Sequence, residues 1–306
     1  MKIFKPNFWN NNNLITYLLL PLTIVTRIYV SISKNKTQYQ SKSKSICVGN
    51  IYLGGTGKTQ LVMKIDELLK KKRRTFVVKK DYEDQIDEQE LLKKNSRVLI
   101  TKTRIEGIKR IELKKNSVAI FDDGLQDRSL KFSLTIVCFS SIAGIGNGKL
   151  LPAGPLRESL FELQNYDAVF INGKINKYLL KKIRTYNKKI KVFSGNYILK
   201  NKKNFSKNKN YLAFCGIGTP ENFFTFLKDN KINIKKKIIF PDHYNYKESD
   251  IDELKSLAKQ NNLKLLTTEK DFIKVNKFKN FDVKKTEVDL KINKVNNFVK
   301  FIMNYL

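Results

Sequence analysis

From residue 44 onward, short apolar runs alternate with stretches whose apolar residues recur at three- and four-residue spacing. The runs at 46–48, 76–78, 98–101, 118–121, 134–139, 168–171 and 191–193 predict strands, and their near-continuous apolar content suits strands covered on both faces. Between them, residues 60–70, 87–94 and 177–183 carry the helical period. Strand–helix alternation of this kind predicts βαβ units, and hence an α/β fold with a mainly parallel sheet and helices on both faces.

The pattern breaks at 200–210, KNKKNFSKNKN, which is charged, amide-rich and without apolar period, and so predicts a linker. A second αβ series follows, with strands at 211–215, 237–240 and 264–267 and helices at 221–228 and 247–260. A last strand near 286–290 and a terminal helix over 295–305 close the chain. The expected division is an apolar N-terminal segment over 1–32, a nucleotide-binding domain over 33–195, a linker over 196–210 and a smaller α/β domain over 211–306. Residues 14–30, LITYLLLPLTIVTRIYV, are strongly apolar but contain Pro21 and Arg27, and Lys2 and Lys5 precede them. A span needs about 20 residues. With Trp9 and Tyr17 nearby, this segment is expected to lie in a membrane interface rather than to cross it.

The most specific local signal is residues 47–59, CVGNIYLGGTGKT. An apolar strand enters this glycine-rich loop, and a helical pattern leaves it after Lys58-Thr59. Glycines let successive N–H groups converge on phosphate, the helix N-terminus adds positive field, Lys reaches the β- and γ-oxygens, and Thr serves Mg²⁺. Tyr52, Leu53, Gly54, Gly55, Thr56, Gly57, Lys58 and Thr59 are therefore the candidate ATP-binding residues of a P-loop-type fold. The usual spacing requires glycine at position 52, where this chain has tyrosine.

Composition changes the picture in two ways. Among 306 residues, 60 are basic and 28 acidic, a formal charge of +32 that favours anionic partners such as nucleic acid, phosphorylated substrates or an anionic lipid surface. The richness in Lys, Asn and Ile also fits codon bias, so charge by itself does not name the partner. Cys47, Cys138 and Cys215 stand singly in apolar runs with no metal-binding spacing, and are expected to be reduced, buried small hydrophobes.

Four further features could carry chemistry. Residues 118–123 form an apolar strand ending in Asp122-Asp123, placed to meet Mg²⁺ at the carboxyl edge of a sheet. Asp87-Glu88 opens a helical pattern, where acids also favour the helix N-terminus. His243 is the only histidine of the chain and follows a predicted strand. Its side-chain type titrates nearest neutrality and suits proton transfer. Residues 150–158, LLPAGPLRE, use two prolines to restrict the loop that presents Arg157 and Glu158.

In their order along the chain, these segments resemble the tetraacyldisaccharide 4'-kinase family, the lipid A kinases. The carrying residues are Val48-Gly49-Asn50 with Gly54-Gly55-Thr56-Gly57-Lys58-Thr59, Asp122-Asp123-Gly124-Leu125-Gln126, and Leu151-Pro152-Ala153-Gly154-Pro155-Leu156-Arg157-Glu158. In the second half they are Gly216-Ile217-Gly218 with Pro220 and Phe223-Phe224, then Phe240-Pro241-Asp242-His243 and Thr268-Glu269-Lys270-Asp271. The family's loop departs from the usual spacing in the same way.

The resemblance implies ATP- and Mg²⁺-dependent phosphorylation of the 4'-hydroxyl of an acylated disaccharide 1-phosphate, at the cytoplasmic face of the inner membrane, with no nucleic-acid partner. It assigns Lys58 and Thr59 to ATP and Mg²⁺, and Asp122 and Asp123 to the metal and phosphate site. Asp87 is the implied catalytic aspartate, with His243 as its partner across a domain cleft. Arg104, Arg157 and Glu88 are the implied substrate-side residues. Departures are Ile86 for the family's glycine before Asp-Glu, Lys80-Asp81-Tyr82 for Arg-Gly-Tyr, and Asp127 for His. The first two keep open a base shifted to Asp81 or Asp84, or a weakened, membrane-bound nucleotide binder. A nucleic-acid-associated P-loop NTPase is the rival from another class.

Overall fold

A computed structural model describes residues 6–34, 37–206 and 208–306. In chain order it begins with α1 (Leu14–Leu19), α2 (Thr23–Lys34), β1 (Tyr39–Gln40), β2 (Lys44–Gly49), α3 (Lys58–Leu69), β3 (Arg74–Lys80) and α4 (Ile86–Asn95). There follow β4 (Val98–Thr101), α5 (Arg104–Glu112), β5 (Ser117–Asp122), β6 (Leu130–Lys131), β7 (Leu134–Ser140), β8 (Ala168–Asn172), α6 (Lys177–Tyr186) and β9 (Lys191–Leu199). The second half holds β10 (Tyr211–Cys215), α7 (Pro220–Asp229), β11 (Ile234–Ile239), α8 (Glu248–Gln260), β12 (Lys264–Thr268), α9 (Glu269–Val275) and β13 (Val283–Thr286). Strand β14 (Val288–Ile292) and helix α10 (Val295–Met303) end the chain.

Two compact units result, and they are not collinear with the sequence. The larger contains Lys5–Asp81, Asn95–Asn196 and Leu290–Leu306, and the smaller contains Tyr82–Lys94 and Tyr197–Asp289. Linear boundaries at 33–195 and 211–306 do not describe this grouping. Most of α4 is grouped with the second half of the chain, while α10 is grouped with the first sheet. Apolar burial explains the latter, since Phe298 is fully buried and stacks edge-on against Phe170 and Phe193.

In the larger unit, eight strands are ordered β14-β9-β8-β7-β2-β5-β3-β4. Strands β9 through β4 of that order pair in parallel. The central β2 sits between β5 and β7, and the winding runs one way to β3 and β4 and the other way to β7, β8 and β9. Such a switch point opens a crevice at the carboxyl ends of the strands, where α/β sheets bind ligands. The core behind it includes Ile46, Cys47, Val48, Ile120, Phe121 and Val137, all fully buried. The apolar runs of the sequence are therefore strands covered on both faces.

The smaller unit has a parallel four-stranded sheet ordered β11-β10-β12-β13, with separate apolar clusters on its two faces. The expected strand near 286–290 is in fact two strands. Strand β13 belongs to this sheet and β14 to the larger one, with Glu287 between them donating its N–H to Asn201 Oδ1 and accepting from Lys200 N–H. The apolar N-terminal segment is likewise two helices rather than one. Pro21 lies in the turn between α1 and α2, where it lacks the N–H a continuous helix needs. No helix among the described residues is long and apolar enough to cross a membrane. All three cysteines are free and buried, and burial pushes their thiols up.

Candidate functional site

The glycine loop leaves the carboxyl end of β2 and ends at α3, whose first residue is Lys58. Gly57, at φ 83°, is the N-cap and occupies the left-handed region that a side chain would resist. Gly54, at φ 138°, turns the loop earlier. Asn50, fully buried, holds the loop from within. Its Nδ2 donates to the carbonyls of Tyr52 at 2.6 Å and Gly54 at 3.0 Å, while its Oδ1 accepts from Lys58 Nζ at 3.1 Å.

Tyr52 is not a loop-lining side chain. Its ring is 1% exposed within the core, and its backbone forms an antiparallel bridge with Leu156. Leu53 N–H donates to the Pro155 carbonyl at 2.8 Å, and Arg157 N–H donates to the Ile51 carbonyl at 2.7 Å. Residues 150–158 are thus stitched to the loop. Leu53 itself is exposed, and Gly54, Gly55, Thr56 and Gly57 lead from it to Lys58.

Strand β5 delivers the two carboxylates to the same place. Thr59 Oγ1 donates to Asp122 Oδ2 at 3.1 Å, and Lys58 Nζ lies 3.5 Å from Asp123 Oδ2. The other oxygen of Asp122, Oδ1, is buried with no hydrogen-bond partner. Asp123 stands at φ 60°, an unusual backbone state for a side chain other than glycine that clusters at functional turns. Burial pushes its carboxyl up, but Lys58, Arg157 and Lys79 outweigh this and hold it at about 2. It is ionised at neutral pH.

Arg157 Nη1 lies 3.3 Å from Asp123 Oδ2 and 3.4 Å from Gln126 Oε1, with its side chain 27% exposed. Arg104 is used differently. It is 6% exposed, donates Nη1 to Asp127 Oδ2 at 2.7 Å and Nη2 to the Asp123 carbonyl, and so ties down the turn after β5. Gly124 is required at that turn, because a Cβ would come within 2.9 Å of Arg104 Nε and Cys47 Sγ.

One residue here escaped the sequence reading. Lys79 of β3 is 1% exposed and sets its Nζ 3.0 Å from Asp122 Oδ2. The fold rather than the sequence reveals it, since Lys79 lies directly opposite Asp122 in the β3–β5 register. A lysine at the end of a buried apolar strand needs an anion beside it.

The remaining candidates gather in the smaller unit. Helix α4 begins with Asp87 and Glu88. Asp87, 3% exposed, accepts at Oδ1 from Glu88 N–H at 2.9 Å and meets His243 Nδ1 at 3.2 Å. Its Oδ2 lies 3.0 Å from Lys274 Nζ. Burial opposes the charge on Asp87, but His243, Lys270 and Lys274 more than compensate and hold its carboxyl well below the ordinary carboxylate range. Glu88 Oε1 lies 2.8 Å from Lys270 Nζ. Burial lowers the Lys270 ammonium, and Glu88 and Asp87 then raise it above its ordinary value.

His243 sits at φ 53° just after β11, with its N–H bonded to the Gly216 carbonyl at 3.2 Å. The sequence expectation set Asp87 and His243 on opposite sides of a domain cleft. Instead they share one compact unit, because α4 is grouped with the second half of the chain. Lys270 and Lys274, one turn apart on α9, are the cations beside these acids, and the sequence does not single them out as partners.

Residues 15–306 match the model of the family described as tetraacyldisaccharide-1-P 4'-kinase. The chain is 42% identical to a protein of Pelagibacter ubique named tetraacyldisaccharide 4'-kinase, over 98% of each chain. It is 38% identical to one of the same name from Rickettsia akari, covering 96% of this chain and 94% of that one. Among solved structures, an apo-form LpxK from Aquifex aeolicus in complex with ATP shares the fold at TM-score 0.72, with 24% identity over 95% of this chain and 99% of the other. On a family match spanning nearly its whole length, and on relatives of this identity and coverage, the chain belongs to the tetraacyldisaccharide 4'-kinase family.

Proposed function

We propose that the protein transfers the γ-phosphoryl group of ATP to the 4'-hydroxyl of an acylated glucosamine disaccharide 1-phosphate in lipid A biosynthesis, at the cytoplasmic face of the inner membrane. The observation that carries this reading is the convergence of Lys58 and Thr59 on Asp123 and Asp122, in a chain whose residues 15–306 match this kinase family.

Phosphoryl transfer asks a protein mainly for positioning and charge neutralisation. Backbone N–H groups of residues 53–59 would cradle the phosphates and Lys58 would meet the β- and γ-oxygens. Arg157, partly exposed beside Asp123, is suited to a phosphate oxygen. Arg104, committed to the turn, supports Asp123 rather than substrate. The residues also fit a magnesium ion. Asp122 Oδ1 is buried with no partner, and the Thr59 hydroxyl meets the other oxygen of the same carboxylate. Thr59, Asp122 and Asp123 would hold the ion, which when bound would neutralise charge on the transferring phosphate. Among the described residues no three His, Cys, Asp or Glu form a metal cage. That suits Mg²⁺, which keeps water and phosphate oxygens as ligands.

On the acceptor side, the Asp87–His243 pair receives the proton of the sugar hydroxyl, with Glu88 next to it. Support for the membrane surface comes from α1 and α2. Leu14, Ile15, Tyr17, Leu18, Leu22, Ile24, Val25, Ile28 and Ile32 are each at least 48% exposed. So much exposed apolar area marks an interaction surface. Helices of this length lie in the headgroup region rather than across it, and the net charge of +32 adds attraction to anionic lipid.

The deciding experiment incubates purified protein with γ-labelled ATP and the disaccharide 1-phosphate in detergent. Labelled 4'-phosphate product, lost with Lys58→Met, is expected. No product, in a mixture where another kinase of the family does label the acceptor, would overturn the reading.

A further inference from the structure

Three carbonyls of the phosphate loop are met by asparagine side chains. Asn50, just after β2, serves those of Tyr52 and Gly54. The third asparagine contact comes from further away. Asn172, the last residue of β8, donates its Nδ2 to the carbonyl of Thr56. In the sheet, β7 lies between β8 and β2, so this side chain reaches across a neighbouring strand to the loop.

The C=O and N–H of a trans peptide lie in one plane and point in opposite directions. A Thr56 carbonyl drawn toward Asn172 therefore turns the N–H of Gly57 away from β8. Gly57 is the N-cap of α3, so this N–H belongs to the donors at a helix N-terminus, where a phosphate is held.

The backbone of Asn172 is fixed on both sides. Ser141 N–H donates to its carbonyl at 2.8 Å, and Gly173 N–H donates to the Gly195 carbonyl at 2.7 Å. Gly173 stands at φ 108°, and a Cβ there would collide with Ser141 Oγ, so glycine is what lets the chain leave β8 in this direction.

Packing does not account for an asparagine here. The four preceding residues of β8, Ala168, Val169, Phe170 and Ile171, are apolar and fully buried, and Asn172 is itself only 7% exposed. Its Oδ1 is buried without a hydrogen-bond partner among the described residues, as is Thr56 Oγ1. A leucine of similar volume would strand no side-chain oxygen. What the asparagine supplies and a leucine does not is the Nδ2 donor to Thr56.

We propose that Asn172 is a positioning residue for the kinase reaction, which by pinning the Thr56 carbonyl fixes the Gly57 peptide plane and aims the Gly57 N–H at the β-phosphate of bound ATP. The proposal rests on the kinase reading above. In this role Asn172 touches no reacting atom. It acts through the loop, whose donor is set in direction before the nucleotide arrives and needs no reorganisation on binding. Asn50 is also tied to Lys58 Nζ, whereas Asn172 acts on the 56–57 peptide. Asn172, Thr56 and Gly57 all belong to the larger unit.

The test is ATP binding by the full-length protein, measured by equilibrium dialysis with labelled ATP and Mg²⁺ and without acceptor. Asn172→Leu should raise the Kd for ATP by roughly 10- to 100-fold, the worth of one hydrogen bond to a charged group. Asn172→Asp keeps the shape but puts an acceptor where the donor stood, and should bind ATP no better than Asn172→Leu. In turnover, kcat should fall by roughly 10- to 100-fold, the scale of small misplacements of reacting groups. The KM for the lipid acceptor should stay within about twofold. A merely structural role predicts the reverse, a lowered Tm by Trp9 fluorescence with ATP affinity intact below the transition.

A Kd for ATP within about threefold of wild type in Asn172→Leu or Asn172→Asp overturns the proposal. So does a loss of ATP affinity matched by an equal rise in the acceptor KM, which would mark a general loosening of the unit. If Asn172→Leu fails to fold, Asn172→Ser, whose shorter side chain falls short of the carbonyl, decides by the same criteria. Because dialysis needs no acceptor, a wild type that binds ATP but forms no 4'-phosphate would sink the functional reading while the binding comparison stood separately.

Discussion

Replacing Lys79 by methionine tests the electrostatics of the phosphate-side site. Lys79 Nζ and Asp122 Oδ2 are 3.0 Å apart, with side chains 2% and 0% exposed. At an effective dielectric of about 20, two unit charges at that distance attract by about 5–6 kcal/mol. Desolvation of both ions offsets most of that, so the pair as a whole adds little over two apolar residues. Removing only the lysine is different. It leaves a buried carboxylate whose Oδ1 has no partner and whose Oδ2 keeps the Thr59 hydroxyl. The expected cost is about 3–5 kcal/mol. For a unit of this size, at roughly 2–4 °C per kcal/mol, that lowers its Tm by roughly 6–20 °C.

The sole tryptophan, Trp9, lies in the larger unit, so its fluorescence follows the correct transition. Adding Asp122→Asn to Lys79→Met removes the stranded charge and should recover most of the loss, a coupling that a double-mutant cycle measures. If Lys79→Met unfolds within about 1 kcal/mol of the wild type, or if Asp122→Asn destabilises it further, the buried-pair argument is wrong.

Three other outcomes follow from the same structure. Thr59→Ala removes the hydroxyl that meets Asp122 and should lower kcat by roughly 10²-fold or more while Trp9 fluorescence reports a folded unit; kcat within threefold of wild type would separate Thr59 from the chemistry. Asp123, held at about 2 against an ordinary value of about 3.9, contributes stability that is fully present above about pH 4 and is lost as pH falls toward 2. Unfolding curves from pH 7 down to pH 3 should therefore converge for the wild type and Asp123→Asn, and parallel curves would contradict this sign. Leu18 and Val25 are each 68% exposed. At roughly 1.5–3 kcal/mol per side chain buried in lipid, changing both to Asp should weaken binding to anionic vesicles by about 100-fold or more in a flotation assay, and unchanged binding would exclude α1 and α2 as the docking surface.

The strands around the phosphate site were legible because burial on both faces leaves few polar residues to blur them. The predicted 98–101 coincides with β4, and 118–121 falls one residue inside β5 at each end. Helix α5 was harder to see, since six of its nine residues, RIEGIKRIE, are polar or glycine. Gly107 is there for contact rather than flexibility. A Cβ at that position would come within 2.5 Å of Val78 Cγ1, so the glycine lets α5 lie close against β3. The split of 286–290 was invisible for another reason. Two strands separated by one residue keep the same period of two, and only pairing reveals that they serve different sheets.

Residue types at the site were largely readable, but their partners were not. The aspartates, the single histidine and the loop lysine stood out because their chemistry is scarce or their spacing is specific. Lys79, Lys270 and Lys274 did not stand out, because 60 basic residues leave any one lysine without contrast. What distinguishes these three is burial beside a carboxylate, a property of the fold. Arg104 shows the converse. Its type suited phosphate, and the structure commits it to Asp127 and the Asp123 carbonyl.

Tyr52 brings the phosphate loop and the apolar N-terminus into one account. In the usual spacing a glycine at that position shapes the start of the loop. Here the shape comes from outside, through the Tyr52–Leu156 bridge and the bonds of Leu53 and Arg157 to and from residues 150–158. The same segment receives the N-terminal helices. Trp9 Nε1 donates to the Pro152 carbonyl at 3.0 Å, and Thr26 Oγ1 donates to the Leu151 carbonyl at 2.7 Å. Gly146 allows the approach, since a Cβ there would come within 2.5 Å of the Trp9 carbonyl and 2.6 Å of Pro155. A proline-stiffened segment of nine residues thus joins the helices with the exposed apolar residues on one side and the phosphate loop on the other. Stiffness is what that position requires, because a yielding connection would let the loop lose the register that Tyr52 and Arg157 impose on it.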